Sequence, residues 1–307
     1  MIAIDQAALT GCYTPLVTPF AGDDVDLAAF ERLVDRQVTG GSHGVVVAGT
    51  TGEPSVLLPR ERTELVRAAV SAAGGRIPVV AATGGGSYAE TRSLSESAVA
   101  AGADALLIVT PYYLRPPQRG LVEYFAGLGS RVDVPVLIYH IPGRAAVTLD
   151  VGTLEAIARR APNVVGMKHA SWELALVTEA RAALGEQFRI FAGLEELSLP
   201  MLALGAHGLM NAVGNLVPDR VAALWRAVAQ QRLADARKLH DELWELNRAV
   251  FLDTNPIPVK YMMRRMGLLA SNDHRLPMMP PTPQQQRRLD GVLRRAHLGV
   301  TAGRVGG

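Results

Sequence analysis

The sequence is poor in several residue types, and each shortage excludes a class of protein. Its 307 residues include one cysteine, Cys12. A disulfide framework within the chain and a zinc site of four cysteines are therefore excluded. The basic residues (31) barely outnumber the acidic ones (29) and are scattered among them along the chain. This pattern indicates a solvated surface of mixed charge, so we expect no nucleic-acid partner.

Long uncharged apolar runs are also missing, although 49% of the residues are hydrophobic. The longest candidate for a membrane span is interrupted by Asp104, so we expect no transmembrane helix. The first residues, MIAIDQAALTG, lack a basic segment followed by a long apolar run. We therefore expect no signal peptide and a cytoplasmic location.

Short apolar runs do occur, and they recur about every 25 to 35 residues. Each run is bounded by Gly, Pro or Thr, and amphipathic stretches separate the runs. Because successive positions are apolar, the runs are typical of strands buried on both faces in a parallel sheet. The eight runs are 12–18, 44–50, 77–83, 104–110, 134–140, 164–170, 188–193 and 207–213. Eight strand–helix units predict a (β/α)₈ TIM barrel and exceed the usual count of a doubly wound sheet, the alternative.

The stretches between these runs carry residues that begin helices. N-capping side chains are available at Asp26, Ser87, Asp150 and Ser171, and Pro59 suits a first helical turn. We predict helices at 27–39, 59–73, 88–101, 195–205 and 219–230, with two more starting after Asp150 and Ser171.

The strand pattern stops after about residue 231, and the remaining stretches 232–251, 256–267 and 283–297 predict helices. We therefore predict a barrel domain at 1–230 and a C-terminal helical extension at 231–307. The final segment, VTAGRVGG, should be frayed.

Lysine is the scarcest basic residue, with only Lys168, Lys238 and Lys260 in the chain. Lys168 ends the sixth predicted strand, and a parallel barrel carries its active site at the carboxyl ends of the strands. An ammonium ion at an apolar barrel edge loses hydration, which favours the free amine, the nucleophile of Schiff-base chemistry. The alternative is a lysine that extends to solvent or pairs with Glu195. We expect Lys238 and Lys260, on predicted helices, to be structural.

Other strand ends add polar groups to the same mouth. Tyr139, one strand before Lys168, offers a phenol for proton transfer, or it is a tyrosine at the rim of the core. The turn GTTGE begins at Gly49, and its amides with the hydroxyls of Thr50 and Thr51 can hold a carboxylate or phosphate. Arg144 follows the fifth strand and can pair with a second carboxylate, or it is an ordinary exposed loop arginine.

Metal catalysis is a less favoured hypothesis for these strand ends than Schiff-base chemistry. His140 and His169 stand at neighbouring ends, but the sequence has no HExxH motif and no acidic cluster. We expect neither a catalytic metal nor an organic cofactor.

Five motifs then occur in a fixed order: GTTGE, TPYYLRPPQ, YHIPGR, VVGMKHA and NPIPVK. Over about residues 10–298 the sequence resembles the dihydrodipicolinate synthase and N-acetylneuraminate lyase family of pyruvate-dependent class I aldolases. The resemblance implies that Lys168 forms an imine with pyruvate or another 2-oxo acid. It also implies that Thr50 and Thr51 hold the carboxylate, and that Tyr139, Thr50 and Tyr113 relay protons, Tyr113 reaching in from a neighbouring subunit.

Further roles follow from the same resemblance. Arg144 matches the arginine that binds the carboxylate of an aldehyde substrate, and the backbone carbonyl of Met210 is expected near the lysine. From their places at the strand ends, Gly49, Gly193 and Glu195 are also expected to line the substrate site. The family is typically a homotetramer built from tight dimers.

The sequence departs from the synthase pattern at the second substrate. His140 replaces a usual asparagine, His169 replaces a common acid, and GLEE resembles the segment that lyases use for substrate hydroxyls. A synthase that condenses pyruvate with aspartate semialdehyde is favoured by Arg144. An aldolase or dehydratase of a 2-keto-3-deoxy sugar acid or another 2-oxo acid is favoured by Glu195, Glu196 and the two histidine replacements. A non-catalytic regulator that binds 2-oxo acids is the third hypothesis, although such a binder has no need of a proton relay.

Overall fold

Eight parallel strands close into a barrel in the computed structural model, which describes residues 9–299. The strands of the chain are β1 Gly11–Pro15, a separate hairpin of β2 Phe20–Ala21 and β3 Asp24–Val25, and then β4 Gly44–Val47, β5 Val79–Ala82, β6 Ala105–Val109, β7 Val136–His140, β8 Val164–His169, β9 Arg189–Ala192 and β10 Gly208–Leu209. Each barrel strand pairs with the next along the chain, and β10 pairs with β1. The predicted (β/α)₈ barrel is confirmed.

Helices follow the strands and surround the barrel. They are α1 Leu27–Thr39, α2 Pro59–Ala73, α3 Tyr88–Ala100, α4 Gln118–Gly129, α5 Pro142–Ala145, α6 Val151–Arg160, α7 Ala175–Leu184, α8 Ser198–Ala203, α9 Pro218–Ala229, α10 Leu233–Ala249, α11 Ile257–Arg265 and α12 Pro283–Arg295. Short 3₁₀ turns at Thr50–Gly52, Glu195–Leu197 and Ala212–Asn215 lie near the carboxyl ends of the strands.

Side-chain capping decides where several helices begin. Asp26, Ser87 and Asp150 each accept an N–H from the first turn of their helices, as predicted. The prediction that Ser171 starts a helix is wrong, because α7 begins only at Ala175. The Ser171 hydroxyl instead accepts the N–H of Glu173, a local turn that competes with helix formation.

Strand alternation separates the barrel interior from the layer between strands and helices. Tyr139 pairs in register with Lys168, and His140 pairs with His169 on the same two strands. Tyr139 belongs to the cluster inside the barrel with Phe191. Because successive side chains of a strand point to opposite faces, Tyr139 and Lys168 face the barrel axis while the two histidines face the helices.

The helices after the barrel pack onto it. Helix α10 lies against α9 and α12. Lys260 on α11 contacts Glu53, which follows β4, and Arg275, between α11 and α12, contacts Glu61 on α2. The boundary at residue 231 stays a prediction, but α10 to α12 fit the predicted extension closely.

Two further expectations concern the ends of the chain and membranes. The segment VTAGRVGG lies outside the described residues, as do the first eight residues. Between Leu9 and Gly299, no helix is long and apolar enough to cross a membrane.

Candidate active site

The carboxyl ends of the strands surround two connected spaces. An outer cavity of about 730 Å³ lies over β4 to β7, and an inner chamber of about 50 Å³ contains Lys168. Thr50, Tyr139, Arg144 and Asn255 line both spaces. The inner chamber is roughly three to five times the volume that one water needs, which suits a small carboxylic acid.

Lys168 lines the inner chamber. Its side chain is buried, and Nζ lies 4.4 Å from the centroid of the Tyr139 ring. The charge of Lys168 acts to lower the pKa of Glu195, but no ion pair joins the two side chains within residues 9–299. The alternative prediction, in which Lys168 pairs with Glu195, is therefore wrong. The amine stands beside the phenol of Tyr139 in a small chamber, where it can act as a nucleophile.

The GTTGE turn places two threonines beside this amine. Thr50 Oγ1 lies 3.5 Å from the Tyr139 hydroxyl, longer than a strong O–H···O bond. Thr51 Oγ1 accepts an N–H from the side chain of Asn255 at 2.9 Å. Because its oxygen is already an acceptor there, the Thr51 hydroxyl proton is directed elsewhere. The turn thus presents hydroxyl donors next to Lys168.

The inner chamber is also lined by a buried carboxyl group, that of Glu195. Glu195 is 2% exposed, and its Oε1 accepts the N–H of Ala212 at 2.5 Å. Its Oε2 has no hydrogen-bond partner among the described residues. Burial raises the pKa of Glu195 to about 7, although the charge of Lys168 opposes this. Glu195 can therefore accept or donate a proton near neutral pH.

Gly193 and Met210 shape the space around the lysine stem. A Cβ atom on Gly193 would lie 2.9 Å from Lys168 Cε, so a larger residue would displace the lysine. Met210 lines the chamber, and its amide donates to the carbonyl of Ala192 on β9. Gly49 precedes the threonine turn and lines the outer cavity.

Arg144 stands where the two spaces meet. It lies on the short helix α5 and is exposed, and it makes no ion pair within residues 9–299. A free guanidinium at the mouth is a receptor for a carboxylate.

Tyr113 is the one predicted relay residue that lies away from Lys168. It is 94% exposed and lines only the outer cavity. Its backbone has φ of +72°, an uncommon conformation for a bulky residue. A side chain so exposed at the tip of a loop is free to enter another subunit, as the resemblance implies.

The C-terminal extension contributes side chains that were missed when site residues were predicted from the strand ends alone. Asn255 holds Thr51, and Lys260 Nζ lies 2.8 Å from Glu53 Oε1. His274 Nδ1 lies 2.9 Å from the other oxygen of Glu53. The signal was present in the sequence, since NPIPVK contains both Asn255 and one of the three lysines.

The arrangement of histidines gives no sign of a metal centre. Across residues 9–299, no group of three or more His, Cys, Asp or Glu side chains is placed to hold a metal ion. His140 and His169 bond to each other with Nδ1 atoms 3.0 Å apart.

Comparisons with known proteins identify one family. The model of the dihydrodipicolinate synthetase family matches residues 8–296. A 4-hydroxy-tetrahydrodipicolinate synthase of Thermus thermophilus is 43% identical over 280 residues, which are 91% of this chain and 93% of that protein. One from Oleidesulfovibrio alaskensis is 38% identical and covers 94% of this chain and 99% of its own. The crystal structure of dihydrodipicolinate synthase from Aquifex aeolicus has a TM-score of 0.93 at 36% identity, over 95% of this chain and 100% of that one.

Proposed function

The chain belongs to the dihydrodipicolinate synthetase family, and we propose that it condenses pyruvate with aspartate semialdehyde through an imine on Lys168. Membership makes the protein a lyase of the class I aldolase type and confirms the resemblance seen in the sequence. The observation that carries the proposal is the buried amine of Lys168, 4.4 Å from the Tyr139 ring centroid, beside Thr50 and Thr51.

Imine formation begins with attack of the Lys168 amine on C2 of pyruvate. The carbonyl oxygen takes up a proton, and the carbinolamine then loses that oxygen as water to leave an iminium ion. Tyr139, whose ring centroid lies 4.4 Å from the amine nitrogen, can donate and accept these protons, and Thr50 Oγ1 lies 3.5 Å from its hydroxyl. Thr51, with its oxygen held by Asn255, offers its proton to the pyruvate carboxylate.

Carbon–carbon bond formation follows from the iminium ion. Loss of a proton from C3 gives an enamine, whose C3 attacks the aldehyde carbon while the aldehyde oxygen takes a proton. The amino group of aspartate semialdehyde then attacks C2, displaces Lys168 and closes a ring. Arg144 at the mouth binds the carboxylate of this second substrate.

The assembly and location are part of the proposal. We infer a homotetramer of tight dimers in which Tyr113 enters the partner's site and completes the relay with Tyr139 and Thr50. Its 94% exposure in the single chain supports this. We also propose a cytoplasmic enzyme, in keeping with its single cysteine, a free and buried thiol.

Glu195 favours a second candidate, an aldolase or dehydratase of a 2-keto-3-deoxy sugar acid. Its Oε2 is buried without a partner in the described part of the chain, and it lines the Lys168 chamber. A substrate hydroxyl would satisfy this oxygen, whereas aspartate semialdehyde carries no hydroxyl unless it is hydrated.

A panel of second substrates distinguishes the two candidates. The enzyme would be incubated with pyruvate and aspartate semialdehyde, and separately with 2-keto-3-deoxy sugar acids, and the products identified by mass spectrometry. Turnover of aspartate semialdehyde is expected, and turnover of sugar acids alone would contradict the synthase.

Arg144→Ala sharpens this panel, with Arg119→Ala on α4 as the control arginine. Loss of a charged hydrogen bond should weaken use of aspartate semialdehyde by about 1.5–3 kcal/mol. Binding of pyruvate should stay normal in both variants. If Arg144→Ala removed pyruvate binding instead, the assignments of the two carboxylates would have to be exchanged.

A further inference from the structure

Two buried histidines lie directly behind the catalytic strand ends. His140 and His169 follow Tyr139 and Lys168 on β7 and β8, and the two pairs are neighbours in register. Both histidines are fully buried, and their Nδ1 atoms lie 3.0 Å apart. They face away from the chamber, so they do not touch the substrate themselves.

The partners of the two rings define where each proton lies. The backbone N–H of Leu149 donates to His140 Nε2 at 3.3 Å, so this nitrogen carries no proton. Neutral His140 therefore donates from Nδ1 to Nδ1 of His169. The remaining nitrogen of His169, Nε2, donates to the carbonyl of Glu173 at 2.9 Å. Burial lowers the pKa of both rings, that of His140 to about 4, in agreement with this neutral pair.

The bond between His140 and Leu149 closes the loop that carries Arg144. The chain leaves β7 at His140, forms α5 with Arg144, and returns to the His140 ring at Leu149. The residues proposed to bind pyruvate, Thr50, Thr51 and Lys168, lie outside this loop, on other strands and turns. A loosened loop would therefore move Arg144 without moving the pyruvate site.

We propose that His140 is a positioning residue that holds Arg144 for the second substrate, and that His169 fixes the tautomer of His140. By accepting the proton of Nδ1, His169 leaves Nε2 free to accept from Leu149, as partner bonds commonly set the tautomer of a histidine. The inference rests on the proposed function, in which Arg144 binds the carboxylate of aspartate semialdehyde.

His140→Asn provides the main test. The asparagine amide can still donate to His169, but it is too short to reach the Leu149 N–H. We expect the KM for aspartate semialdehyde to rise about 2- to 10-fold, as for one lost hydrogen bond. The KM for pyruvate and the extent of pyruvate trapping by borohydride should stay within about twofold of the wild type.

His207 supplies the matched control at the other end of the barrel. It directly precedes β10, accepts the N–H of Ile190 at 3.1 Å and donates to the carbonyl of Glu186 at 2.9 Å. His207→Asn should therefore lower the free energy of unfolding as His140→Asn does. It should leave the KM for pyruvate and the KM for aspartate semialdehyde unchanged. If His140→Asn lost stability but left the ratio of the two KM values as in His207→Asn, the positioning role would be wrong.

A second pair of variants tests the tautomer, and it replaces the first test if His140→Asn does not fold. His169→Asn keeps an oxygen that accepts from His140, whereas His169→Leu removes it. We expect a raised KM for aspartate semialdehyde in the leucine variant and rescue by asparagine. Equal KM values in the two variants would overturn the inference. A wild type that turns over no aspartate semialdehyde would instead show that the proposed function has failed.

Discussion

Two lysines are buried in this protein, and their surroundings differ in one decisive respect. Lys168 and Lys260 each place Nζ 4.4 Å from the centroid of an aromatic ring, Tyr139 for the first and Phe20 for the second. Lys260 also lies 2.8 Å from a carboxylate oxygen of Glu53, whereas Lys168 has no ion pair in the described residues. Burial alone therefore does not make a nucleophile. The nitrogen of Lys260 is engaged by the carboxylate of Glu53, whereas the nitrogen of Lys168 has no such partner and is open to a substrate carbonyl.

The largest expected effect comes from removing the unpaired lysine. Lys168→Met should lower kcat by at least about 10⁴-fold, because the covalent route is lost. The free energy of unfolding should not fall, since the variant removes a buried amine that forms no ion pair among the described residues. Steady-state kinetics and urea denaturation measure the two quantities. Lys238→Met on the exposed face of α10 is the control and should match the wild type in both.

Tyr139→Phe should produce the next largest effect and separates the amine from its proton relay. Losing the hydroxyl should lower kcat by about 10²- to 10⁴-fold, the usual contribution of general acid–base catalysis. The pyruvate adduct on Lys168 should still form, although more slowly. Tyr13→Phe alters another tyrosine of the inner cluster and should leave kcat nearly unchanged. A normal kcat in Tyr139→Phe would contradict the relay.

Lys260→Met tests the paired lysine and should act on stability. Breaking a buried ion pair leaves Glu53 without its cation, and His274 compensates only in part. The free energy of unfolding should fall by about 3 kcal/mol, at the lower end of the usual cost. The double variant Lys260→Met with Glu53→Gln should recover part of the loss. A stable Lys260→Met variant that cannot form the pyruvate adduct would exchange the roles of the two lysines.

The smallest effect concerns pH and the histidine pair. His140 has a folded pKa of about 4, below its ordinary value of 6.5. The unfolded chain therefore binds this proton more readily, and the contribution of His140 to stability is present above pH 6.5 and lost as the pH falls towards 4. Between pH 7 and pH 5 the loss should be about 2 kcal/mol. His140→Asn should lack this component.

Glu195 titrates in the same pH range as His140. The free energy of unfolding of His140→Asn must therefore be compared with that of the wild type at each pH. Its pKa is raised from 4.5 to about 7, so the folded state binds its proton more readily and Glu195 stabilises the fold as the pH falls. The two groups act in opposite directions in the same range. Urea denaturation of both proteins at pH 7 and pH 5 isolates the difference, and identical pH dependence would contradict the neutral histidine pair.

The sequence predicts those site residues whose place follows from their position at the end of a single strand. Lys168, Tyr139 and Thr50 could be placed at one mouth because parallel strands bring their carboxyl ends together. Contacts between distant segments could not be predicted this way, and Asn255 with Thr51, 204 residues apart, is the clearest case. Ser171 misled the prediction because its hydroxyl serves a helix cap and a tight turn equally well.

Borohydride trapping with pyruvate tests the difference between the two lysines most directly. The wild-type enzyme would be reduced in the presence of pyruvate, digested, and mapped by mass spectrometry. One reduced pyruvate adduct per chain on Lys168, with Lys260 unmodified, is the result we predict. An adduct on Lys260, or none on Lys168 with pyruvate or any other 2-oxo acid, would contradict the assignment of Lys168 as the nucleophile.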